Sequence, residues 1–312
     1  RRYLFSGGGG TISRILFRTI YNRGTLGFDQ QARFFARRGY VVLVQGERGR
    51  YDADGSFYAF KNEANDGYDT DEWIGRQPWF DGNLGAMGGS YGGYVQWAQA
   101  VGGSKYLKEI FPEVTTGDIY NNWIYSDGAL HYGFALPWGG VELDGHTNQF
   151  DAATDWAQAF PHLPVSTADE AAGHRTPHYR DWIRHPTRDS YWDGINWDDD
   201  YEKISTPAFS ADGWYDIFVR GALSDDIQIR KRGKTRESCE YKHITIGPWA
   251  HSEGGRVAIT GRSSDPTPPD FGDNAVVDID KLALRWHDYW LKGIDNGVVN
   301  EPPVKIFVMG EN

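Results

Sequence analysis

Short runs of apolar and β-branched residues recur along the chain, and most of them show no regular alternation with polar residues. They lie at residues 15–17, 40–44, 84–87, 110–114, 206–211 and 242–247. Apolar runs of this length without alternation are typical of strands in a parallel sheet that is covered on both faces. The pattern therefore predicts a buried, mostly parallel β-sheet.

Segments with the spacing of helices lie between these predicted strands. The sequence predicts helices over residues 28–38, 66–76, 91–101 and 277–291, and a further helix that ends near residue 232. Alternation of strand and helix is typical of a doubly wound α/β sheet. At 312 residues, the chain is long enough for one large α/β domain with an insertion, or for two domains.

Residues 118–203 break this alternation, because the β-rich runs disappear and only helical patches remain, at residues 152–159 and 178–183. We interpret the segment as a mainly helical cap over the functional end of the sheet. The alternative is a peripheral insertion that does not contact substrate. The predicted division is the α/β core in residues 1–117, the cap in 118–203, the core again in 204–299, and the start of a C-terminal β domain in 300–312.

Charge and composition exclude several classes of partner. The formal net charge is −11 without a basic stripe, so we expect no nucleic-acid partner. No apolar run approaches the roughly eighteen residues of a membrane span, so we expect a soluble protein, which is cytoplasmic, periplasmic or secreted. The single cysteine, Cys239, excludes an internal disulfide framework. No metal-ligand spacing accompanies the acidic run at residues 198–200, and homo-oligomerisation is left open.

The candidate for chemistry is the segment 83–94, which contains the pattern G-x-S-x-G as Gly88, Ser90 and Gly92. Glycines on both sides of Ser90 let a strand and a helix pass close together, because neither glycine has a Cβ. The pattern predicts a sharp strand-to-helix turn that presents the Ser90 hydroxyl as a nucleophile. The alternative is a glycine-rich turn with a passive serine.

A serine nucleophile needs a base that accepts its proton and an acid that orients the base. Asp216 and His251 each follow a predicted strand, in the chain order Ser, Asp, His that α/β-hydrolases use. The carboxyl ends of parallel strands share one edge of the sheet, so we expect these loops to converge. Asp212 also lies at the end of its predicted strand, so the residues alone leave two candidates for the acid.

The tetrahedral intermediate of acyl transfer needs hydrogen-bond donors for its oxyanion. The N–H of Tyr91, at the start of the predicted helix, is one candidate. The second donor usually comes from the loop after an early strand. That loop contains Tyr21, whose phenol is a candidate donor, with simple packing as the alternative role.

Three motifs follow one another in the chain. They are Asp81-Gly82-Asn83-Leu84-Gly85 with Gly88-Gly89-Ser90-Tyr91-Gly92, then Gly213-Trp214-Tyr215-Asp216, then Gly247-Pro248-Trp249-Ala250-His251. In this order they resemble the cocaine esterase/glutaryl-acylase (CocE/NonD) family of serine hydrolases, which is related to α-amino-acid ester hydrolases and X-prolyl dipeptidyl peptidases. The similarity covers roughly residues 14–312. It implies an α/β-hydrolase fold with a helical cap and a truncated start of a C-terminal jelly-roll domain.

The resemblance also implies a role for each residue that matches the family's catalytic motifs. Ser90 matches the nucleophile, Asp216 the acid and His251 the base. Tyr21 matches a tyrosine whose hydroxyl completes the oxyanion hole together with the Tyr91 N–H. On this ground we favour Asp216 as the acid.

Three further matches concern the acyl pocket. Trp123, Trp138 and Phe218 match aromatic residues that line this pocket in the family. The run 45–49 lacks the Asp that the family often has before its Arg-Gly pair. Gly93 stands where the α-amino-acid ester hydrolases have an acidic residue for the substrate ammonium group, which argues against that specificity.

The sequence therefore predicts a serine carboxylic ester hydrolase that acts on a small-molecule ester or amide through an acyl-Ser90 intermediate, without a metal or organic cofactor. Acyl groups with an aromatic or bulky apolar part suit the predicted pocket. Two alternatives stay open. One is an acylase or X-prolyl dipeptidyl peptidase, and the other is an inactive fragment or binding module that keeps the fold.

Overall fold

The computed structural model describes residues 2–3, 12–149, 154–251 and 271–309. Its strands are β1 (Arg2–Tyr3), β2 (Ile12–Thr19), β3 (Val41–Gly46), β4 (Phe80–Gly89), β5 (Leu107–Glu113), β6 (Tyr125–Ser126), β7 (Ala129–Leu130), β8 (Ala208–Tyr215), β9 (Lys242–Ala250) and β10 (Val304–Ile306). Its α-helices are α1 (Leu26–Ala36), α2 (Glu63–Gly75), α3 (Tyr91–Gly102), α4 (Tyr132–Phe134), α5 (Trp156–Ala159), α6 (Ala168–Ala171), α7 (Pro177–Arg184), α8 (Val219–Arg232), α9 (Arg236–Glu240) and α10 (Ile279–Lys292).

Within these ranges, eight strands form one sheet in the order β1-β3-β2-β4-β5-β8-β9-β10. β1 pairs antiparallel with β3, and all other neighbouring strands are parallel. The predicted doubly wound, mostly parallel sheet is confirmed, and each of the six predicted strands is present. In its centre Ala86 of β4 lies between Leu16 of β2 and Ile110 of β5, so the strand that leads to Ser90 is a central one.

Apolar residues cover both faces of the sheet, as the strands without alternation predict. On one face, Phe35 of α1 and Trp286 of α10 pack with Phe17 and Phe111 of the strands. On the other face, α2 and α3 pack on the sheet and on each other. Because both faces are covered, functional groups are left to the strand ends and the loops that follow them.

Between β5 and β8, the chain forms short helices and the β6-β7 hairpin, which agrees with the predicted mainly helical insertion. Two of its segments, Tyr120–Ile124 and Ala135–Glu142, are π-helical. Of the helix predicted at residues 152–159, Trp156–Ala159 is present, and residues 152–153 lie outside the described residues. The division of the chain into domains stays a prediction.

Helix α3 is buried on all sides from residue 91 to residue 100. The sheet covers one side, and residues of the insertion cover another. Trp197 stacks on Tyr94 with ring centroids 6.2 Å apart, and the Tyr94 hydroxyl donates to the Ile195 carbonyl oxygen (2.8 Å). The insertion thereby holds the helix that begins directly after Ser90.

Two strand ends differ from the sequence prediction. β8 continues to Tyr215, because it keeps its pairing with β9 as far as Ala250. The prediction that Asp212 lies at the strand end is therefore wrong, since Asp212 is inside β8. β9 continues to Ala250, so His251 directly follows its strand.

The strand near the C-terminus extends the main sheet. β10 pairs in parallel with β9, with Val304 beside Ile244. Where the structure describes it, this segment therefore belongs to the sheet of the core rather than to a second sheet. Residues 310–312 lie outside the described residues, and a C-terminal β domain stays a prediction.

Two kinds of feature are absent from the described residues. In ranges 2–3, 12–149, 154–251 and 271–309, no helix combines the length and the apolar character that crossing a bilayer requires. The same part of the chain contains no group of three or more His, Cys, Asp or Glu residues arranged to hold a metal ion.

Candidate active site

Ser90 occupies a strained turn between β4 and α3. Its backbone has φ 57° and ψ −125°, a region that residues other than glycine rarely adopt. Helix α3 begins at the next residue, and the Ser90 carbonyl oxygen accepts from the N–H groups of Gly93 and Tyr94 at 2.9 and 3.0 Å. This conformation places the serine where the strand passes into the helix, as a nucleophile turn requires.

Neighbouring glycines give this turn its space. A Cβ at Gly88 would lie 3.1 Å from the Gly92 carbonyl oxygen, and Gly88 itself has φ 151°. A Cβ at Gly93 would lie 2.4 Å from Thr115 Cγ2. Packing therefore leaves no room at position 93 for an acidic side chain, which gives a physical reason for the glycine there.

A chain of hydrogen bonds joins Ser90, His251 and Asp216. His251 Nε2 lies 3.0 Å from Ser90 Oγ, and His251 Nδ1 lies 2.6 Å from Asp216 Oδ2. Asp216 Oδ1 accepts from the Phe218 N–H at 2.7 Å, which fixes the orientation of the carboxylate. The Asp216 side chain is buried, whereas the His251 side chain is 28% exposed. Such an arrangement can move a proton from serine to imidazole while a carboxylate stabilises the imidazolium.

The second candidate acid, Asp212, has a different environment. Its Oδ1 accepts from the Gly213 N–H at 2.7 Å inside strand β8. Burial, and then the nearby charge of Asp216, raise the pKa of Asp212 well above its usual range. The raised pKa favours the uncharged form of Asp212, whereas the partner that stabilises an imidazolium has to be an anion. The structure brings Asp216, and not Asp212, to His251.

The two candidate oxyanion donors lie beside Ser90. Tyr91 is the first residue of α3, where N–H groups have no acceptor within the helix. The Tyr21 hydroxyl interacts with the Ser90 side chain and accepts a hydrogen bond from Trp138 Nε1 at 3.2 Å. Burial, and then the Glu142 carboxylate, raise the pKa of the Tyr21 hydroxyl. The phenol therefore stays protonated and able to donate.

Trp123, Trp138 and Phe218 form one packed aromatic cluster. Ring centroids are 4.0 Å apart for Trp123 and Phe218, and 5.5 Å apart for Trp123 and Trp138. Phe218 also meets the His251 ring edge-on, at 5.3 Å. The structure thus brings the three residues together and puts the cluster in contact with the imidazole. Both tryptophans lie in the π-helical segments of the insertion, and such segments are frequent at functional sites.

A buried ionic cluster behind the serine turn is a feature that sequence reasoning misses. Arg18 of β2 donates to Glu47 at 2.8 Å and to Glu63 at 3.2 Å, and the three side chains are at most 5% exposed. Glu63 also accepts from the Tyr91 hydroxyl at 2.7 Å, which ties α2 to the first residue of α3. The available signal is Arg18 itself, a charged residue directly after the apolar run 15–17 of β2.

Known protein families and curated proteins include relatives of this chain. The family model described as X-Pro dipeptidyl-peptidase (S15 family) matches residues 8–253. The cocaine esterase of Rhodococcus sp. (strain MB1 Bresler) is 31% identical over 295 residues, which cover 88% of this chain and 49% of that protein. The chain spans about half the length of the curated relatives it matches.

Two solved structures share the fold. An aminopeptidase from the marine sediment archaeon Thaumarchaeota archaeon has a TM-score of 0.76 at 20% identity, over 99% of this chain and 54% of that one. An α-amino acid ester hydrolase has a TM-score of 0.75 at 20% identity, over 98% of this chain and 53% of that one. At this identity the likeness concerns the fold alone, and it confirms the predicted fold class.

Proposed function

Because the chain belongs to the X-Pro dipeptidyl-peptidase (S15) family, we propose that it is a serine hydrolase that cleaves carboxylic esters through an acyl intermediate on Ser90. The observation that carries the proposal is the hydrogen-bond chain from Ser90 Oγ through His251 to Asp216, at 3.0 and 2.6 Å. The left-handed backbone of Ser90 supports it, because such strain persists where a function needs it.

In the first half of the reaction, Ser90 Oγ attacks the ester carbonyl carbon while its proton passes to His251 Nε2. Asp216 accepts the His251 Nδ1–H and stabilises the charged imidazolium. The tetrahedral intermediate then collapses, the carbon–oxygen bond of the alcohol breaks, and His251 returns the proton to the leaving oxygen. The products of this half are an alcohol and an acyl-serine ester.

In the second half, water takes the place of the alcohol. His251 accepts a proton from water as its oxygen attacks the acyl carbon, and a second tetrahedral intermediate forms. When the intermediate collapses, the bond to Ser90 Oγ breaks and the proton passes from His251 to that oxygen. A carboxylic acid leaves, and the free enzyme is restored.

Both intermediates carry negative charge on the former carbonyl oxygen. We assign its stabilisation to the Tyr91 N–H and the Tyr21 hydroxyl, and the loss of one such donor typically costs about 3 kcal/mol. The aromatic cluster of Trp123, Trp138 and Phe218 supports a preference for acyl groups with an aromatic or bulky apolar part.

The test is hydrolysis of p-nitrophenyl acetate, butyrate and benzoate by the wild-type protein and by Ser90→Ala. We expect turnover by the wild type and a loss of about 10⁴-fold or more in the variant. Labelling of the wild type by a fluorophosphonate, mapped to Ser90 by mass spectrometry, is the matching covalent readout. Labelling at another residue, or equal turnover by both proteins, would contradict the assignment.

A second candidate is cleavage of X-Pro dipeptides from peptide substrates, which the description of the matched family names. Such a substrate presents an ammonium group that a carboxylate has to hold. Glu142, which influences the Tyr21 hydroxyl electrostatically, offers a carboxylate on the insertion. Parallel assays with Gly-Pro-p-nitroanilide and p-nitrophenyl butyrate separate the two candidates, since Glu142→Gln lowers turnover of the dipeptide substrate alone if the second is correct.

A further inference from the structure

The indole of Trp138 is held in one orientation. Its ring stacks on Phe134 with centroids 5.0 Å apart and on Trp182 at 6.3 Å, with interplanar angles of 16° and 9°. A Cβ at Gly139 would lie 2.2 Å from the Trp182 ring, so this glycine permits the close approach. Trp138 is 8% exposed, and these neighbouring rings restrict its rotation.

This fixed indole donates its N–H to the Tyr21 hydroxyl, at a distance of 3.2 Å between Nε1 and the phenol oxygen. An indole N–H can only donate, so the Tyr21 oxygen must accept. This bond uses one side of the Tyr21 oxygen, so the hydroxyl proton of Tyr21 points to the other side. Ser90 is a polar neighbour of the same hydroxyl.

We infer that Trp138 is a positioning residue, which aims the Tyr21 O–H at the oxyanion formed on the Ser90-bound carbonyl. The inference rests on the proposed function, because it requires an oxyanion beside Ser90. A donor to the phenol oxygen also strengthens the hydrogen bond that the phenol donates, since the two bonds polarise each other. The oxyanion exists only after attack, so the contribution belongs to kcat rather than to KM.

Trp192 provides a matched control in the same insertion, outside the cluster of Trp123, Trp138 and Phe218. It is also a buried tryptophan, and its ring packs against Tyr120 with centroids 5.1 Å apart. Its indole N–H, however, donates to the His185 backbone carbonyl oxygen at 3.0 Å. Replacing either tryptophan by phenylalanine removes one indole donor and similar ring area, but only the Trp138 donor reaches Tyr21.

The experiment compares Trp138→Phe with Trp192→Phe in p-nitrophenyl acetate hydrolysis. We expect Trp138→Phe to lower kcat by about 5- to 50-fold and to change KM by less than about threefold, because the hydrogen bond is used only in the transition state. We expect Trp192→Phe to change kcat by less than about threefold. Equal losses in the two variants would overturn the inference, because packing alone would then account for them.

A second comparison asks whether Trp138 acts through Tyr21. In a Tyr21→Phe background the hydroxyl is absent, so adding Trp138→Phe should change kcat by less than about twofold. If Trp138→Phe lowers kcat as much in this background as in the wild type, the indole does not act through the phenol. If Tyr21→Phe leaves kcat unchanged, the phenol is not a donor and the inference falls as well.

An isosteric replacement keeps the test valid if Trp138→Phe does not fold. Benzothienylalanine at position 138, introduced by an expanded genetic code, retains the fused ring system and lacks the N–H. The same loss of kcat is expected from it, and wild-type kcat would overturn the inference. Ser90→Ala serves as the reference for the proposed function itself. If it keeps wild-type turnover, the serine mechanism fails, whereas an inactive Ser90→Ala with unaffected Trp138 variants removes only the inference.

Discussion

Two buried pairs of acids flank the Ser90 turn, and in each pair one carboxyl group has a raised pKa. In the first pair Asp212 lies near Asp216, and in the second Glu47 and Glu63 both accept from Arg18. Burial is the main cause of the raised pKa of Asp212 and of Glu47, and the neighbouring carboxylate adds to it. Since two adjacent buried anions repel, each pair favours protonation of one member.

The pairs differ in the cation they face. The first pair faces His251, which is 28% exposed and contacts Ser90, and which in the proposed mechanism is positively charged only during proton transfer. The second pair faces Arg18, which is 1% exposed and permanently charged. In the proposed mechanism, the first arrangement serves catalysis because its cation is transient and reaches the serine. In the second arrangement the cation is permanent and enclosed, and it holds α2 against the central sheet.

The largest difference should appear when the two acids of the first pair, Asp212 and Asp216, are replaced one at a time. We expect Asp216→Asn to lower kcat/KM for p-nitrophenyl butyrate by about 10⁴-fold, because a neutral amide cannot stabilise the imidazolium and selects the wrong tautomer. Asp212→Asn should change kcat/KM by less than about tenfold, because the raised pKa of Asp212 favours its uncharged form and asparagine has the same shape.

Steady-state kinetics of both variants at about pH 8 test this pair of expectations, with circular dichroism as the control for folding. A loss from Asp212→Asn as large as that from Asp216→Asn would mean that both carboxyl groups act as one catalytic unit. In that case the proposed distinction between a protonated and a charged aspartate would be incorrect.

Much of the fold and the serine, acid and base candidates can be predicted from the sequence, because they depend on local signals. Gly88 and Gly92 mark the turn around Ser90, and runs without alternation mark buried strands. The choice between Asp212 and Asp216 depends instead on where β8 ends, and pairing with β9 decides that. The local residue pattern does not show where β8 ends, because the end of the strand is set by its pairing with β9.

The contacts of the site are less predictable than its members. Nothing local in the sequence indicates that Trp138 donates to Tyr21, because 117 positions separate them and a π-helical segment sets the ring direction. The same holds for Arg18 and Glu63, which meet only when α2 packs against the central sheet. Contacts between side chains that are far apart in the sequence depend on how the elements pack. No local pattern in a single sequence indicates that packing.

A smaller effect, on stability rather than chemistry, should come from the second pair. Arg18→Met removes the only guanidinium that donates to both Glu47 and Glu63 in the described part of the chain. We expect it to lower the free energy of unfolding by about 3–5 kcal/mol at pH 7, because a carboxylate is left buried without its cation. Glu47→Gln should cost about 1 kcal/mol or less, because the raised pKa of Glu47 favours its protonated form, which a neutral amide resembles.

Urea unfolding of the two variants, followed by tryptophan fluorescence, measures both effects on one scale. Asp69→Asn, at an exposed position of the same helix as Glu63, is the control for a change of charge. If Glu47→Gln is as destabilising as Arg18→Met, then Glu47 is ionised in the folded protein and the cluster carries a net negative charge.

The smallest effect concerns Asp71, the second buried acid of α2 besides Glu63. Burial raises the pKa of Asp71 to about 8. Gln99 Nε2 donates to Asp71 Oδ1 at 2.5 Å, while Asp71 Oδ2 and Gln99 Oε1 have no other partner among the described residues. A proton on Asp71 lets the acid and the amide satisfy each other. The folded state thus binds a proton that the unfolded state releases above about pH 4.

Stability contributed by a raised acid pKa is present at low pH and is lost as pH rises towards the folded value, here between about pH 4 and pH 8. Asp71→Asn removes this loss, because an amide preserves the pairing with Gln99 without a titrating proton. Relative to wild type, its free energy of unfolding should therefore rise with pH by at most about 1.4 kcal/mol per unit between about pH 5 and pH 8. Urea titrations at about pH 5, 6, 7 and 8 measure the difference, with Asp69→Asn as the exposed control. Parallel curves for Asp71→Asn and wild type would show that the pKa of Asp71 is not raised. Asp71 would then be ionised and would add a negative charge to the cluster of Arg18, Glu47 and Glu63.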